Sequence, residues 1–306
     1  MTADSIQRVL IIGAGTMGQQ IGMQCALFGL DVVLYDTSPK AREAVLPSLR
    51  AYLVAPVAAS VFTTDQVEAA FTRLTITNDA KAAAAEIDLV SESIPEDPKL
   101  KGAVLGEFHR LCPPRTIFTT NTSTLAPSQF AQATGRPERF AAFHFHTPVW
   151  YANVVDVMPH PGTAPDVVEI LGSFAGRIGQ IPIVLHEEHR GYIFNSMLNV
   201  LLAEALTMAA TGVASPEEID RAWMGVTKMG IGPFGIIDLV GVDTVWKITD
   251  YWAGKAFWMR HLRRNATYLK AFVDRGELGS KTGRGFYQYP NPRFQDATFL
   301  SNTGGG

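Results

Sequence analysis

The chain has 306 residues, enough for two domains of ordinary size, and its 26 basic against 29 acidic side chains leave a formal charge of −3. That balance lacks the basic footprint of a protein that binds nucleic acid or an anionic membrane, so a small molecule is the expected partner. Two cysteines, Cys25 and Cys112, form neither a disulfide framework nor a metal knuckle, and the N-terminal MTADSIQRVL lacks the basic-then-apolar pattern of a secretion signal. A reducing, cytoplasmic setting without a metal is expected.

The first third alternates short β-branched runs with helix-like segments, the pattern of a parallel sheet covered by helices. VLII (9–12), VVLY (32–35), LTI (74–76), DLVSES (88–93) and TIFTT (116–120) are the first strands. Between them, helix starts are marked by Pro39 after Ser38, by Asp65 with Glu68 as a capping pair, and by Pro98 ahead of KLKGAVLGEF. RFAAFHF, VVDVM and IPIVL add three more strands. Beyond Leu185 the pattern changes: helical periodicity runs through 192–212, 215–228, 232–240, 243–259 and 262–274, and only GFYQY near the end reads as a strand. The apolar stretch from Tyr192 to Ala210 is interrupted by Asn195, Ser196, Asn199 and Glu204, which favours a buried helix over a membrane span. The tail NPRFQDATFLSNTGGG is expected to fray. The domains expected are 1–187, an α/β unit, and 188–306, an all-α unit.

VLIIGAGTMG places Gly13, Gly15 and Gly18 in GxGxxG spacing, with Thr16 and Met17 between them, after an apolar strand and at the start of a helix. A second strand ends in Asp36, 18 residues beyond Gly18. Each part has a physical task in binding a dinucleotide: a tight turn at Gly13, close approach of backbone to pyrophosphate at Gly15, helix-on-strand packing at Gly18, and an anion at the helix N-terminus. Asp36 would accept hydrogen bonds from ribose hydroxyls and repel a 2′-phosphate, which favours NAD over NADP, although Lys40 and Arg42 lie close enough to soften that exclusion. The domain is of Rossmann type.

FHFHTPVWYANVVDVM (143–158) holds His144, His146 and Asp156. Oxidation of an alcohol by NAD needs a base at the hydroxyl, and an imidazole oriented by a carboxylate suits the task near neutral pH. His144 ends one strand and Asp156 lies in the next. His146 would point the same way as His144 in an extended strand, so parity does not choose between them.

GAGTMG, SESIPED followed by Lys101, NTSTL, HFHTPV, VVDVM, RGYIFN, GPFGIIDLVGVDT and LGSKTGRGFYQY occur in an order that resembles the L-3-hydroxyacyl-CoA dehydrogenase family over nearly the whole chain. The resemblance implies that His144 is the base, Asp156 its carboxylate partner, and Ser123 and Asn195 hydrogen-bond donors to the substrate oxygen. It also implies that Glu96, Lys101 and Lys281 lie near the cofactor, and that the protein is a homodimer through its helical domain, with GIIDLVGV and VWKITDYWAGKAFW as apolar candidates for the contact. The sequence departs from the family on the substrate side. Asp156 stands for a glutamate, His146 and Thr147 stand for the second phenylalanine and the asparagine of an HFFNP motif, and residues 46–71 hold a single basic residue, Arg50, where relatives carry several lysines for CoA phosphates.

The expected activity is NAD-dependent oxidation of a short- or medium-chain L-3-hydroxyacyl-CoA. The alternatives are a free hydroxy acid such as L-gulonate or carnitine as substrate, and a non-catalytic NAD-binding protein comparable to a lens crystallin. The lysine chemistry of 3-hydroxyisobutyrate dehydrogenases is disfavoured, since no lysine occurs between Lys101 and Lys228.

Overall fold

A computed structural model describes residues 1–255 and 260–301. The chain divides after Ile193 into two compact units. In the first, the β-branched runs form eight strands: β1 (Arg8–Ile12), β2 (Asp31–Tyr35), β3 (Leu74–Thr77), β4 (Leu89–Glu92), β5 (Ile117–Thr120), β6 (Phe140–Phe145), β7 (Val154–Pro159) and β8 (Ile181–Val184). They make one sheet in the order β3-β2-β1-β4-β5-β6-β7-β8. Every neighbouring pair is parallel except β6 and β7.

Helices cover both faces, as a sheet of parallel strands requires. Alternate residues Val9, Ile11, Val32, Leu34, Phe143, Phe145, Val155 and Val157 pack under α1 (Thr16–Leu27) and α6 (Pro165–Arg177). The opposite parity, Leu10, Ile12, Val90 and Phe118, packs under α5 (Pro98–Leu111) and the short α4 (Ala80–Ala84). The α6 crossover has no counterpart among the elements expected from the sequence. An α-helical pair, α2 (Pro39–Ala58) and α3 (Thr64–Phe71), follows β2. Its second helix is capped by Thr63 with Gln66, not by Asp65 with Glu68; Glu68 instead receives the Arg50 guanidinium. Asp97 caps α5, accepting from the amides of Lys99 and Leu100, with Pro98 at the first helical position.

The second unit contains α7 (Phe194–Ala210), α8 (Pro216–Thr227), α9 (Pro233–Val240), α10 (Val242–Lys255) and α11 (Arg260–Asp274) around Leu202, Leu206, Phe234, Ile237, Val245 and Leu269. The end of the helix expected over 243–259 lies outside the described residues. Three expectations are corrected here. The α7 helix is buried on one face only, through Leu202, Ala205 and Leu206, while Met197 and Val200 stand well exposed. GFYQY (285–289) forms turns and isolated bridges, because its amides are taken by a carboxylate before a ladder can form. As far as residue 301 the tail is anchored by Phe294 and Phe299, both in the core of this unit, and the rest of the segment expected to fray lies outside the described residues. No helix among the described residues is long and apolar enough to cross a membrane.

Asp238 organises the end of the second unit. Fully buried, it accepts from the amides of Phe286 and Tyr287 at 2.9 Å each and from the Tyr289 hydroxyl at 3.2 Å. A Cβ on Gly285 would meet its Oδ1 at 2.1 Å, so only glycine fits there. Asp238→Ala would orphan one buried and two part-buried donors, and the expected cost is about 3 kcal/mol. Urea denaturation followed by tryptophan fluorescence measures it; a loss below about 1 kcal/mol would mean that the loop holds without this carboxylate.

Candidate active site

The edge formed by the C-terminal ends of β1, β4, β5 and β6 carries the polar side chains, the place where open α/β sheets bind ligands. At β1, Gly13 adopts φ +101°, and a Cβ on Gly18 would strike the Gly13 carbonyl oxygen at 1.9 Å. Both positions are therefore closed to other residues. A Cβ at Gly15 would meet nothing within 4 Å, which leaves open space beside the backbone where a pyrophosphate would approach. Thr16, Met17 and Gly18 form the first turn of α1, whose amides point out of the helix end. Asp36, just past β2, accepts from the Ala14 amide and the Ser38 amide at 2.8 Å each. It pins the glycine turn, and its carboxylate retains lone pairs for ribose hydroxyls. Arg42 donates to the Asp36 carbonyl at 2.8 Å. This cradle fits a dinucleotide.

Lys101 and Glu96 belong to one network of charged side chains. Lys101 is 1% exposed and donates to Glu92, itself fully buried, at 2.6 Å; Glu96 lies 3.3 Å from the same ammonium. Burial pushes the Glu92 carboxyl up against the pull of Lys101. Glu96 Oε1 accepts from the Thr122 hydroxyl, the Ser123 and Thr124 amides and the Thr124 hydroxyl. Burial would raise Glu96, but the Thr122 hydroxyl, Lys101 and Thr124 hold it below the usual carboxylate range. This carboxylate shapes the turn that presents Ser123. Glu92 escapes a reading of the sequence, although its spacing to Lys101 within SESIPEDPKLK carries the signal.

The antiparallel register pairs His144 with Asp156. Because Phe143, Phe145, Val155 and Val157 face the main core, the even positions turn to the other side, toward Ala142, Met158 and Tyr192. Asp156 Oδ2 lies 3.0 Å from His144 Nδ1 and 3.0 Å from His146 Nε2. Burial would raise Asp156, but the hydrogen bonds from the two imidazoles hold it below the usual carboxylate range, so it is an ionised acceptor. Both nitrogens facing it are therefore N–H donors. His144 Nε2 is then left with its lone pair, 3.1 Å from Ser123 Oγ. Desolvation lowers the His144 pKa, opposed by the Asp156 hydrogen bond, so the ring is neutral near pH 7. The Tyr192 ring stacks on it at 4.3 Å and 6°, anchored by donation from its hydroxyl to the Thr122 carbonyl at 2.6 Å. Tyr192 is a site residue that sequence reasoning misses; RGYIFN carries it without a chemical signature.

Among the described residues, the cluster with three metal-ligating side chains within 4.8 Å is this same His144, His146 and Asp156. There the nitrogens donate to the carboxylate and do not offer lone pairs. Asn195 lies near the start of α7, and Lys281 pairs with Asp243; both belong to the second unit.

The first unit matches the model of the 3-hydroxyacyl-CoA dehydrogenase NAD binding domain over residues 8–188, and the second matches the C-terminal domain of the same family over 191–289. A probable 3-hydroxybutyryl-CoA dehydrogenase of Bacillus subtilis is 31% identical over 288 residues, covering 93% of this chain and 98% of the relative. The human mitochondrial hydroxyacyl-coenzyme A dehydrogenase is 32% identical over 289 residues, 93% of this chain and 91% of the relative. Among solved structures, a diketoreductase studied for substrate-directed dual catalysis of dicarbonyl compounds is similar, with a TM-score of 0.85, 35% identity, and coverage of 93% of this chain and 99% of that one. The chain belongs to the 3-hydroxyacyl-CoA dehydrogenase family, with that family's NAD-binding domain as its first unit.

Proposed function

We propose that the protein oxidises a short- or medium-chain L-3-hydroxyacyl-CoA to the 3-oxoacyl-CoA with NAD as acceptor, His144 acting as general base. The observation that carries this reading is the line Ser123 Oγ, His144, Asp156, with separations of 3.1 and 3.0 Å. NAD, when bound, takes the hydride from the carbinol carbon. His144 Nε2 takes the hydroxyl proton, and Asp156 stabilises the imidazolium through Nδ1–H. Ser123 Oγ converges on the same point and donates to the substrate oxygen as it becomes a carbonyl. Gly13, Gly15, Thr16, Met17, Gly18 and Asp36 hold the cofactor, with Glu96 and Lys101 setting the floor beside it. Asn195 and Lys281 keep the roles the family resemblance implies. His144→Gln is expected to lower kcat by roughly 10²-fold or more while NADH binding, followed by fluorescence, persists. Near-wild-type turnover would remove His144 from the role of base.

A second reading keeps the chemistry and changes the substrate to one without CoA. The only basic residue of 46–71, Arg50, is committed to Glu68 at 2.8 Å and stacks over Phe71 at 4.5 Å, while Val54 on the same helical pair is 68% exposed. Such a surface does little to attract three phosphate charges, and the similarity to a diketoreductase favours the same direction. Optical assay of NADH formation with L-3-hydroxybutyryl-CoA, a longer 3-hydroxyacyl-CoA, L-gulonate and L-carnitine, and of NADH consumption with a dicarbonyl compound free of CoA, separates the two. Turnover of the thioesters is expected; its absence beside turnover of a CoA-free compound would favour the second reading.

A homodimer through the helical unit is supported by apolar side chains at its surface, with Val200 72% and Val226 83% exposed. Light scattering is expected to give about twice the 33.3 kDa of one chain. A monomer at micromolar concentration would refute it. A reducing, cytoplasmic setting fits the buried free thiols of Cys25 and Cys112, whose pKa values burial pushes up to about 12.

A further inference from the structure

The family pattern leaves no task for His146, which stands where relatives resembling this chain carry a phenylalanine. In the structure it is not a replacement of one packing ring by another. Its Nε2 lies 3.0 Å from Asp156 Oδ2, the same oxygen that receives His144 Nδ1–H. Its ring meets that of His144 edge to face at 4.8 Å and 75°. The strand ends at Phe145, so His146 has left the ladder and reaches the carboxylate from the following turn. Its side chain is 14% exposed against 4% for His144, so it is the more accessible of the two imidazoles. The turn itself is tied to α1, where the Gln20 side chain accepts from the Val149 amide at 3.1 Å.

We propose that His146 is a positioning residue that holds Asp156 jointly with His144, dividing one carboxylate oxygen between two imidazoles and thereby setting the pH at which the base becomes available. The physical reason is competition. A carboxylate that receives a second N–H donor is better solvated and attracts the first imidazolium less. A second donor on Asp156 Oδ2, supplied from the turn that follows β6, restrains the carboxylate further.

The groups facing His144 are Asp156 from β7, His146 from the turn after β6, Glu96 from the segment after β4, Ser123 from the turn after β5, and the stacked phenol of Tyr192. Desolvation and the neighbouring His146 ring lower the His144 pKa; Asp156 and Glu96 raise it. Tyr192 stays neutral because burial raises its pKa well above the ordinary value. Removing the His146 donor returns the full carboxylate to His144 and raises its pKa. Oxidation needs neutral His144 and fails as pH falls through that value, so the loss of His146 moves the acid limb to higher pH.

The inference rests on His144 being the base, and its test separates the two. His146→Phe retains a flat ring of similar size without the donor; His146→Gln places an amide N–H where Nε2–H stood. The acid limb of kcat/KM for oxidation is expected to rise by about 0.5 pH unit or more in His146→Phe and to stay near wild type in His146→Gln. A limb that is unmoved or falls in His146→Phe overturns the proposal, as does an equal rise in His146→Gln. Nitrogen-15 spectra of the wild-type imidazoles provide a reading independent of substrate and of variant folding. A protonated Nε2 on His146 together with a protonated Nδ1 on His144 at pH 7 is expected. A bare Nε2 on His146 at that pH overturns the proposal whatever the substrate proves to be.

Discussion

The antiparallel pairing of β6 and β7 is the constraint on which the site depends. In a sheet otherwise built from parallel strands, it is the place where residues 12 apart in the chain lie directly opposite each other, His144 against Asp156. The hydrophobic pattern fixes that register. Phe143 and Phe145 on one strand, and Val155 and Val157 on the other, must face the core beneath α1 and α6, which turns the imidazole and the carboxylate to the opposite face. A slip of one residue would drive Asp156 among phenylalanines and expose the core side chains. The packing of ordinary apolar residues thus holds the imidazole and the carboxylate together.

Around that joint, each carboxylate is matched to donors. Asp156 has two imidazoles, Glu96 has the hydroxyls and amides of the NTST turn, and Glu92 has Lys101 and the Thr120 hydroxyl. A carboxylate left alone in such surroundings would take up a proton. The consequence for chemistry is preorganisation: Ser123 is placed by Glu96, the tautomer of His144 by Asp156, and the tilt of its ring by Tyr192. Under the proposed function, none of these would need to reorganise as charge develops on the substrate oxygen.

The eight strands are legible in the sequence because their β-branched and period-two runs are long and unambiguous. The GxGxxG unit is legible because glycines at 13, 15 and 18, set between a strand and a helix, answer a steric demand that few turns impose. The cap of α3 is harder to read, since Thr63 with Gln66 and Asp65 with Glu68 are both plausible pairs two residues apart, and the competing use of Glu68 by Arg50 is a tertiary fact. GFYQY reads as a strand because its alternation is correct; a carboxylate 49 residues away from Tyr287 takes the backbone amides instead. The exposed face of α7 is hidden for a related reason, since apolar composition does not say which surface covers a helix.

Sequence by itself determined the order of elements, the glycine turn for a dinucleotide, and the presence of an imidazole, a carboxylate and a serine in the order that the family resemblance assigns to an alcohol oxidation. Those are properties of local pattern and spacing, which a chain displays before it folds. Only the tertiary structure decided that His146 shares the carboxylate with His144, that Glu96 is spent on the serine turn, that Glu92 and Lys101 are a buried pair, and that Tyr192 stacks on the His144 ring. These depend on which side chains from distant segments reach the same few ångströms, and that follows from strand register and packing.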